Sequence, residues 1–140
     1  MFGLKRKNLV LGLAIFFTSV ASSQSMAKER TTFDDSTASP RGKLTIKNGQ
    51  STTFTAVLKA GTKGVPNVPV NVYIGSDPKP NRVKTDRNGR FTLTKTVWIT
   101  DKIPTGGKSV NWCAEFAGDS TYVGAGTCNY IHGWRFTVKP

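Results

Sequence analysis

From Lys43 onward the chain alternates between apolar and polar side chains, and Gly, Pro and Asn break the alternation at short intervals. A period of two puts successive side chains on opposite faces of an extended strand, one toward a core and one toward water. Leu44 and Ile46 make the first such run, before Asn48-Gly49, and Phe54, Ala56 and Leu58 the second. After a loop punctuated by Gly61, Gly64, Pro66 and Pro69, Val68, Val70, Val72 and Ile74 mark a third, and Val83 lies in a fourth. The fifth places Phe91, Leu93, Val97 and Ile99 opposite Thr92, Thr94 and Thr96; the sixth carries Val110, Trp112, Ala114 and Phe116. The last is expected from about Cys128 to Val138, with an irregularity at His132-Gly133. No helical stripe competes with this pattern. About seven short strands at regular spacing predict an all-β fold, an antiparallel β-sandwich, with a closed barrel of similar strand count as the alternative.

The segment ahead of this pattern is of another kind. Lys5-Arg6-Lys7 precedes a short apolar run, Leu9 to Ala21, and Ser25-Met26-Ala27 offers small residues where a signal peptidase reads, so residues 1–27 are expected to be a cleaved signal peptide. A membrane anchor needs about 20 apolar residues, and this run is shorter. The product is expected to be secreted, extracellular or envelope-associated. Residues 28–42 are polar with one aromatic and no period, and are read as a flexible N-terminal arm; residues 43–140 are read as the folded domain. Beyond residue 27 lie 17 of the 20 basic residues and all 8 acidic ones, a net charge of +9. Such a charge favours contact with anionic polymers: cell-wall phosphates, lipopolysaccharide, acidic glycans or nucleic acid. Two cysteines in an exported chain predict one disulfide, Cys113–Cys128, on the outer face, because Cys113 shares parity with Asn111 and Glu115. Closing that loop contributes about 3 kcal/mol in the chain-entropy model.

Three motifs recur in order: Val68 to Val72 in a "G-x-P-V-x-V" strand, Thr85-Asp86 with Gly89 and Phe91 in a "T-D-x-x-G-x-F" hairpin, and Phe116, Gly118, Asp119 and Tyr122 in an "F/Y-x-G-D-x-x-Y" corner. In this order they resemble the bacterial immunoglobulin-like (Big-type) domains of surface adhesins and secreted proteins, over roughly Lys43 to Val138. The middle motif also occurs in prealbumin-like accessory domains of peptidases. The resemblance implies an immunoglobulin-like sandwich with a structural, adhesive or ligand-binding role and names no ligand. The cysteine pair is not part of the general pattern.

Gly118-Asp119-Ser120 also matches the nucleophile signature of a class of secreted esterases. A serine nucleophile needs a base within reach, and the single His, His132, would lie across a hairpin from the wrong part of the strand. Gly118, Asp119 and Tyr122 are therefore read as a structural corner, with Asp119 accepting backbone N–H groups and the Tyr122 hydroxyl bonded to the main chain. One His and two distant Cys make no zinc spacing; no metal, cofactor or catalytic residue is expected. The candidate binding patch is KPNRVKTDRNGR, where a hairpin would display Arg82, Lys84, Arg87 and Arg90 together, with Lys79 beside them. Nucleic acid is not favoured, because no aromatic residue is interleaved with these cations. A second candidate is a glycan platform of exposed tryptophans, Trp98 and Trp134, with Trp112 assigned to the core. A third is an end loop that binds a protein receptor.

Overall fold

The computed structural model describes residues 27–100, 103, 109–128 and 133–140. The expected signal peptide falls outside these residues except for Ala27, and so do His132 and most of the 101–108 connection. Ten strands are formed among the described residues: β1 (Thr32–Ser39), β2 (Thr45–Lys47), β3 (Gln50–Ala60), β4 (Lys63–Gly64), β5 (Pro69–Ile74), β6 (Asn81–Lys84), β7 (Arg90–Val97), β8 (Ser109–Gly118), β9 (Val123–Gly126) and β10 (Trp134–Lys139). They make two sheets. In the four-stranded sheet β3 is central, with β1 on one edge and β7 and β4 paired to it as well. The six-stranded sheet runs β2-β10-β8-β5-β6, with β9 also paired to β8.

The core is the set of residues that the alternation points inward. Phe54, Ala56 and Leu58 from β3 and Phe91 from β7 meet Val70 and Val72 from β5, Trp112 and Ala114 from β8, and Phe136 and Val138 from β10. Trp112 is 1% exposed and lies edge-on to Phe54 at 5.2 Å between ring centroids, the favoured packing of two aromatic quadrupoles. Its indole N–H is not orphaned by burial: it donates to the Pro40 carbonyl at 2.6 Å. The two sheets thus form a β-sandwich around one hydrophobic core.

The seven expected strands correspond to β2, β3, β5, β6, β7, β8 and β10, and three more are present. The segment expected to be a flexible arm contains β1, which is a correction. Phe33 and Ala38 are buried, and β1 pairs with β3 in register Phe33↔Leu58. The Phe33 ring packs edge-on against Phe91 at 5.9 Å and Trp134 at 6.2 Å, so it closes one side of the core. Truncating such a ring to alanine costs about 3–5 kcal/mol. The strand hides in the sequence because the pairing shifts register between Asp34 and Ser39, which breaks the period-2 signal. Ahead of it, Glu29 joins the opposite side of the molecule, donating its N–H to the Thr121 carbonyl and accepting from Val123 N–H.

Topology overturns a second expectation. Residues 85–89 do not close a hairpin. β6 pairs with β5 in the six-stranded sheet and β7 pairs with β3 in the four-stranded sheet, so the turn carries the chain from one sheet to the other. Its internal bonds are those a hairpin turn also uses: Asp86 N–H donates to the Arg90 carbonyl and Gly89 N–H to the Asp86 carbonyl. The Asp86 carboxylate accepts the amides of Arg90 and Asn88, and these bonds, with Arg90 first, hold its pKa below the ordinary value. The buried Thr85 hydroxyl anchors the crossing by donating to the Val65 carbonyl and accepting from Val68 N–H.

Candidate functional site

Because strands alternate, each sheet has an outer face, and the two faces differ in chemistry. On the four-stranded sheet, Ser51, Thr53 and Thr55 of β3 stand in register with Thr96, Thr94 and Thr92 of β7. The Thr53 and Thr94 hydroxyl oxygens lie 3.2 Å apart, and the Thr55 hydroxyl donates to the Phe91 carbonyl. The basic side chains of this sheet are mostly engaged. Lys59 pairs with Asp34 at 2.6 Å, Arg90 donates to the Thr55 hydroxyl at 3.0 Å, and Lys95 donates to the Asn81 side-chain carbonyl at 3.1 Å. Hydrogen bonds from Lys59 and from the Ser36 hydroxyl and amide lower the Asp34 pKa to about 2.

The six-stranded sheet presents cations instead. Lys47 of β2, Arg82 and Lys84 of β6, and Arg135 and Lys139 of β10 are all exposed and occupy the positions between inward-facing residues. Glu115 is the one acidic residue in the strands of this sheet. Lys47 and Lys139 stand in register on parallel neighbours, a placement in which like charges repel. Among the described residues, none of these five side chains forms an ion pair or hydrogen bond. Between them the face carries Asn71, Tyr73, Asn111 and the disulfide. Cys113 and Cys128 are bonded with their Cα atoms 5.0 Å apart, and both are half-buried on this outer side. Beneath them the Thr127 hydroxyl accepts the Ala114 amide and completes the edge of β8.

The patch expected on one hairpin is therefore divided. Arg82 and Lys84 lie on the outer face of the six-stranded sheet, Arg87 is exposed in the intersheet turn, and Arg90 is half-buried on the hydroxyl face. Lys79 is exposed in the β5–β6 connection, where its N–H donates to Asp77. Arg135, Lys139 and Lys47, absent from the sequence-based patch, share this outer face but lie toward the opposite edge of the sheet from Arg82 and Lys84. Their signal is present in the runs WRFTVK and TIK, where each cation alternates with an inward apolar residue. Their adjacency depends on a parallel pairing between distant segments that local sequence does not encode.

Trp134 is not a platform residue, a correction to the expectation. It is 6% exposed, faces Trp112 with centroids 4.4 Å apart, and donates its indole N–H to Asp35 at 3.0 Å. It has the inward parity of Phe136 and Val138 and pairs in register with Trp112. Trp98 is 59% exposed, just beyond the end of β7.

At the corner, Gly118 takes φ of +89°, and a side chain there would meet the Gly124 backbone. The Asp119 carboxylate accepts the Thr121 and Tyr122 amides at 2.8 Å each, and the Asp119 N–H donates to the Tyr122 carbonyl. Tyr122 is half-buried against the core, its hydroxyl makes no hydrogen bond among the described residues, and the bonds seen at the corner are those of Asp119. Ser120 is exposed, and its only candidate base, His132, lies outside the described residues. Among those residues, no group of three or more His, Cys, Asp or Glu is placed to hold a metal, and no helix is long and apolar enough to cross a membrane. Compared with known proteins, the chain matches no family model, no curated protein and no solved structure.

Proposed function

We propose that this protein is a secreted, non-catalytic, immunoglobulin-like binding module that contacts anionic polymers through the outer face of its six-stranded sheet. The observation that carries the reading is the set of five exposed cations, Lys47, Arg82, Lys84, Arg135 and Lys139, none with an ion pair or hydrogen bond among the described residues, on a sheet whose strands hold a single acid, Glu115. A sandwich needs only a polar outer surface. Holding Lys47 and Lys139 side by side costs Coulomb energy that a bound polyanion removes. The immunoglobulin-like reading is supported by the first two strands. β1 runs antiparallel to β3 in one sheet, and β2 runs parallel to the last strand, β10, in the other, so the chain changes sheets at Ser39–Pro40. The Cys113–Cys128 disulfide is compatible with an oxidising compartment, which supports an extracellular or envelope site of action.

The test is retention of the mature chain on immobilised polyphosphate and on a sulfated glycan across a salt gradient. The wild type is expected to bind at low salt and to elute as salt rises, because released counterions drive the binding. Arg135→Glu with Lys139→Glu should elute without retention, and Arg87→Glu with Lys63→Glu, which removes the same charge off the face, should elute near the wild type. Equal effects of the two changes would leave net charge as the explanation and would discard the face.

A further inference from the structure

A cleft opens on the flank of the sandwich where the edges β6 and β7 face each other, and its volume is about 300 Å³. Ile74 and Val97 supply an apolar lining, Trp98 forms one wall, and Asp77, Asn81 and Lys95 bring polar atoms to it. The wall is fixed in position. Trp98 leaves β7 directly over Gly49, where an added methyl group would sit 2.8 Å from the indole ring. Gly49 can occupy this place because it has no side chain and adopts φ of +81°. The connection is tied on both sides of the ring: Gly49 N–H donates to the Val97 carbonyl at 2.7 Å, and Ile99 N–H donates to the Asn48 side chain at 2.7 Å. One side of the indole is thus seated on backbone while the residue as a whole remains 59% exposed.

An isolated exposed tryptophan requires no explanation. A tryptophan seated on a glycine beside a cavity with an apolar lining and a few polar groups has the composition of a small-ligand site. The polar groups define the ligand. Asn81 already donates to the Val72 carbonyl and accepts from Lys95, which leaves its second amide proton and second carbonyl lone pair to a ligand; Lys95 keeps further ammonium protons, and Asp77 adds a charge of opposite sign. An anion would meet Asp77, and a cation would meet Lys95. A hydroxyl both donates and accepts, so a neutral polyol suits Asn81 and Lys95 together. The C–H face of a pyranose ring is apolar and slightly positive, which matches the negative face of an indole. The Lys95 ammonium is already oriented by its 3.1 Å hydrogen bond to Asn81 across the gap between the two sheets.

We propose that this cleft binds a single neutral hexopyranose residue of a glycan, stacked on Trp98 and hydrogen-bonded through Asn81 and Lys95. The site is separate from the cationic face in both position and chemistry. A chain that grips polyanions on one face and a sugar ring on its flank is suited to a surface where neutral and charged polymers lie together.

The test uses the fact that Trp112 and Trp134 are buried, so a dissolved quencher such as acrylamide reaches Trp98 selectively. The mature chain is titrated with trisaccharides of β-1,4-glucose, α-1,4-glucose and β-1,4-N-acetylglucosamine while quenching of Trp fluorescence is followed. At least one trisaccharide is expected to protect Trp98, with a dissociation constant that does not change between about 50 and about 500 mM NaCl, unlike polyanion binding. Affinity by calorimetry should fall at least about tenfold in Trp98→Ala, fall less in Trp98→Phe, and persist in Arg135→Glu with Lys139→Glu. Because Trp98 is exposed, its replacement leaves the core intact, which the thermal melt verifies. Absence of protection by all three sugars would overturn the proposal. So would binding that survives Trp98→Ala, or binding that weakens with salt in parallel with polyphosphate.

Discussion

The two outer faces of the sandwich have the same structural duty and are built from different residues. Both must be polar, because each strand already gives its other side to the core. On the four-stranded sheet that need is met by Ser51, Thr53, Thr55, Thr92, Thr94 and Thr96, β-branched or small residues that suit a strand, of which the Thr53, Thr55 and Thr94 hydroxyls find partners close by. Most of its charges are neutralised or hydrogen-bonded, as in Lys59–Asp34 and Arg90–Thr55, while Lys63 of β4 has no such partner among the described residues. On the six-stranded sheet, Lys47, Arg82, Lys84, Arg135 and Lys139 are exposed without such partners among the described residues. The two faces thus differ in how far the molecule itself pairs their polar side chains, and the anion contact proposed above is assigned to the face where fewer are paired.

The contrast can be broken or sharpened experimentally. The largest effect is expected on binding: Arg82→Gln with Arg135→Gln should strongly reduce polyphosphate retention, while Thr53→Glu with Thr92→Glu, which lowers the net charge by the same amount on the hydroxyl face, should leave most of it. On stability, replacing both cysteines by serine is expected to cost about 3 kcal/mol, read as a lower urea midpoint. Retention by the remaining folded protein should be unchanged, because the disulfide supports the cationic face without contributing charge. Thr53→Ala should lower stability by about 0.2–1 kcal/mol through loss of the cross-strand pair and should not alter retention. Lys139→Thr should raise stability by a few tenths of a kcal/mol, since it relieves the repulsion with Lys47, while weakening retention. A residue that lowers stability and strengthens binding is the signature the two-face account requires.

A final effect appears only in acid. The Asp34 pKa is lowered from 3.8 to about 2 by hydrogen bonds from Lys59 and Ser36, so its ionised form is favoured in the folded state. The stability it contributes is fully present above about pH 4 and disappears as pH falls from about 4 toward about 2. Asp34→Asn should flatten the stability profile over that window, and a profile identical to the wild type would remove the Lys59–Asp34 pair from the account.

Much of this architecture was legible in the sequence because it is local. The alternation at 54–58, 70–74 and 110–116 identifies strands whose inward residues, Phe54, Val72 and Trp112 among them, are those found in the core. The parity of Cys113 with Asn111 placed the disulfide on the outer side, where it lies. What failed was non-local. Arg87-Asn88-Gly89 has the chemistry of a hairpin turn, yet the same hydrogen bonds serve a crossing between sheets, and only the partners of β6 and β7 distinguish the two. The candidate patch was therefore divided, and Arg135, Lys139 and Lys47 were overlooked because their proximity comes from the pairing of β2 with β10. β1 was hidden by a register shift and by the polarity of Asp34, Asp35 and Ser36. Trp134 was misplaced because an irregularity expected just before it left its parity open, and the core took it.

The most direct measurement is a residue-by-residue NMR titration of the mature chain with short polyphosphate at low salt. Amide shifts concentrated at Lys47, Arg82, Lys84, Arg135 and Lys139, with Thr53, Thr92 and Thr94 unmoved, are the predicted result. Shifts centred on the threonine face or on the 85–89 turn, with the six-stranded face silent, would contradict it.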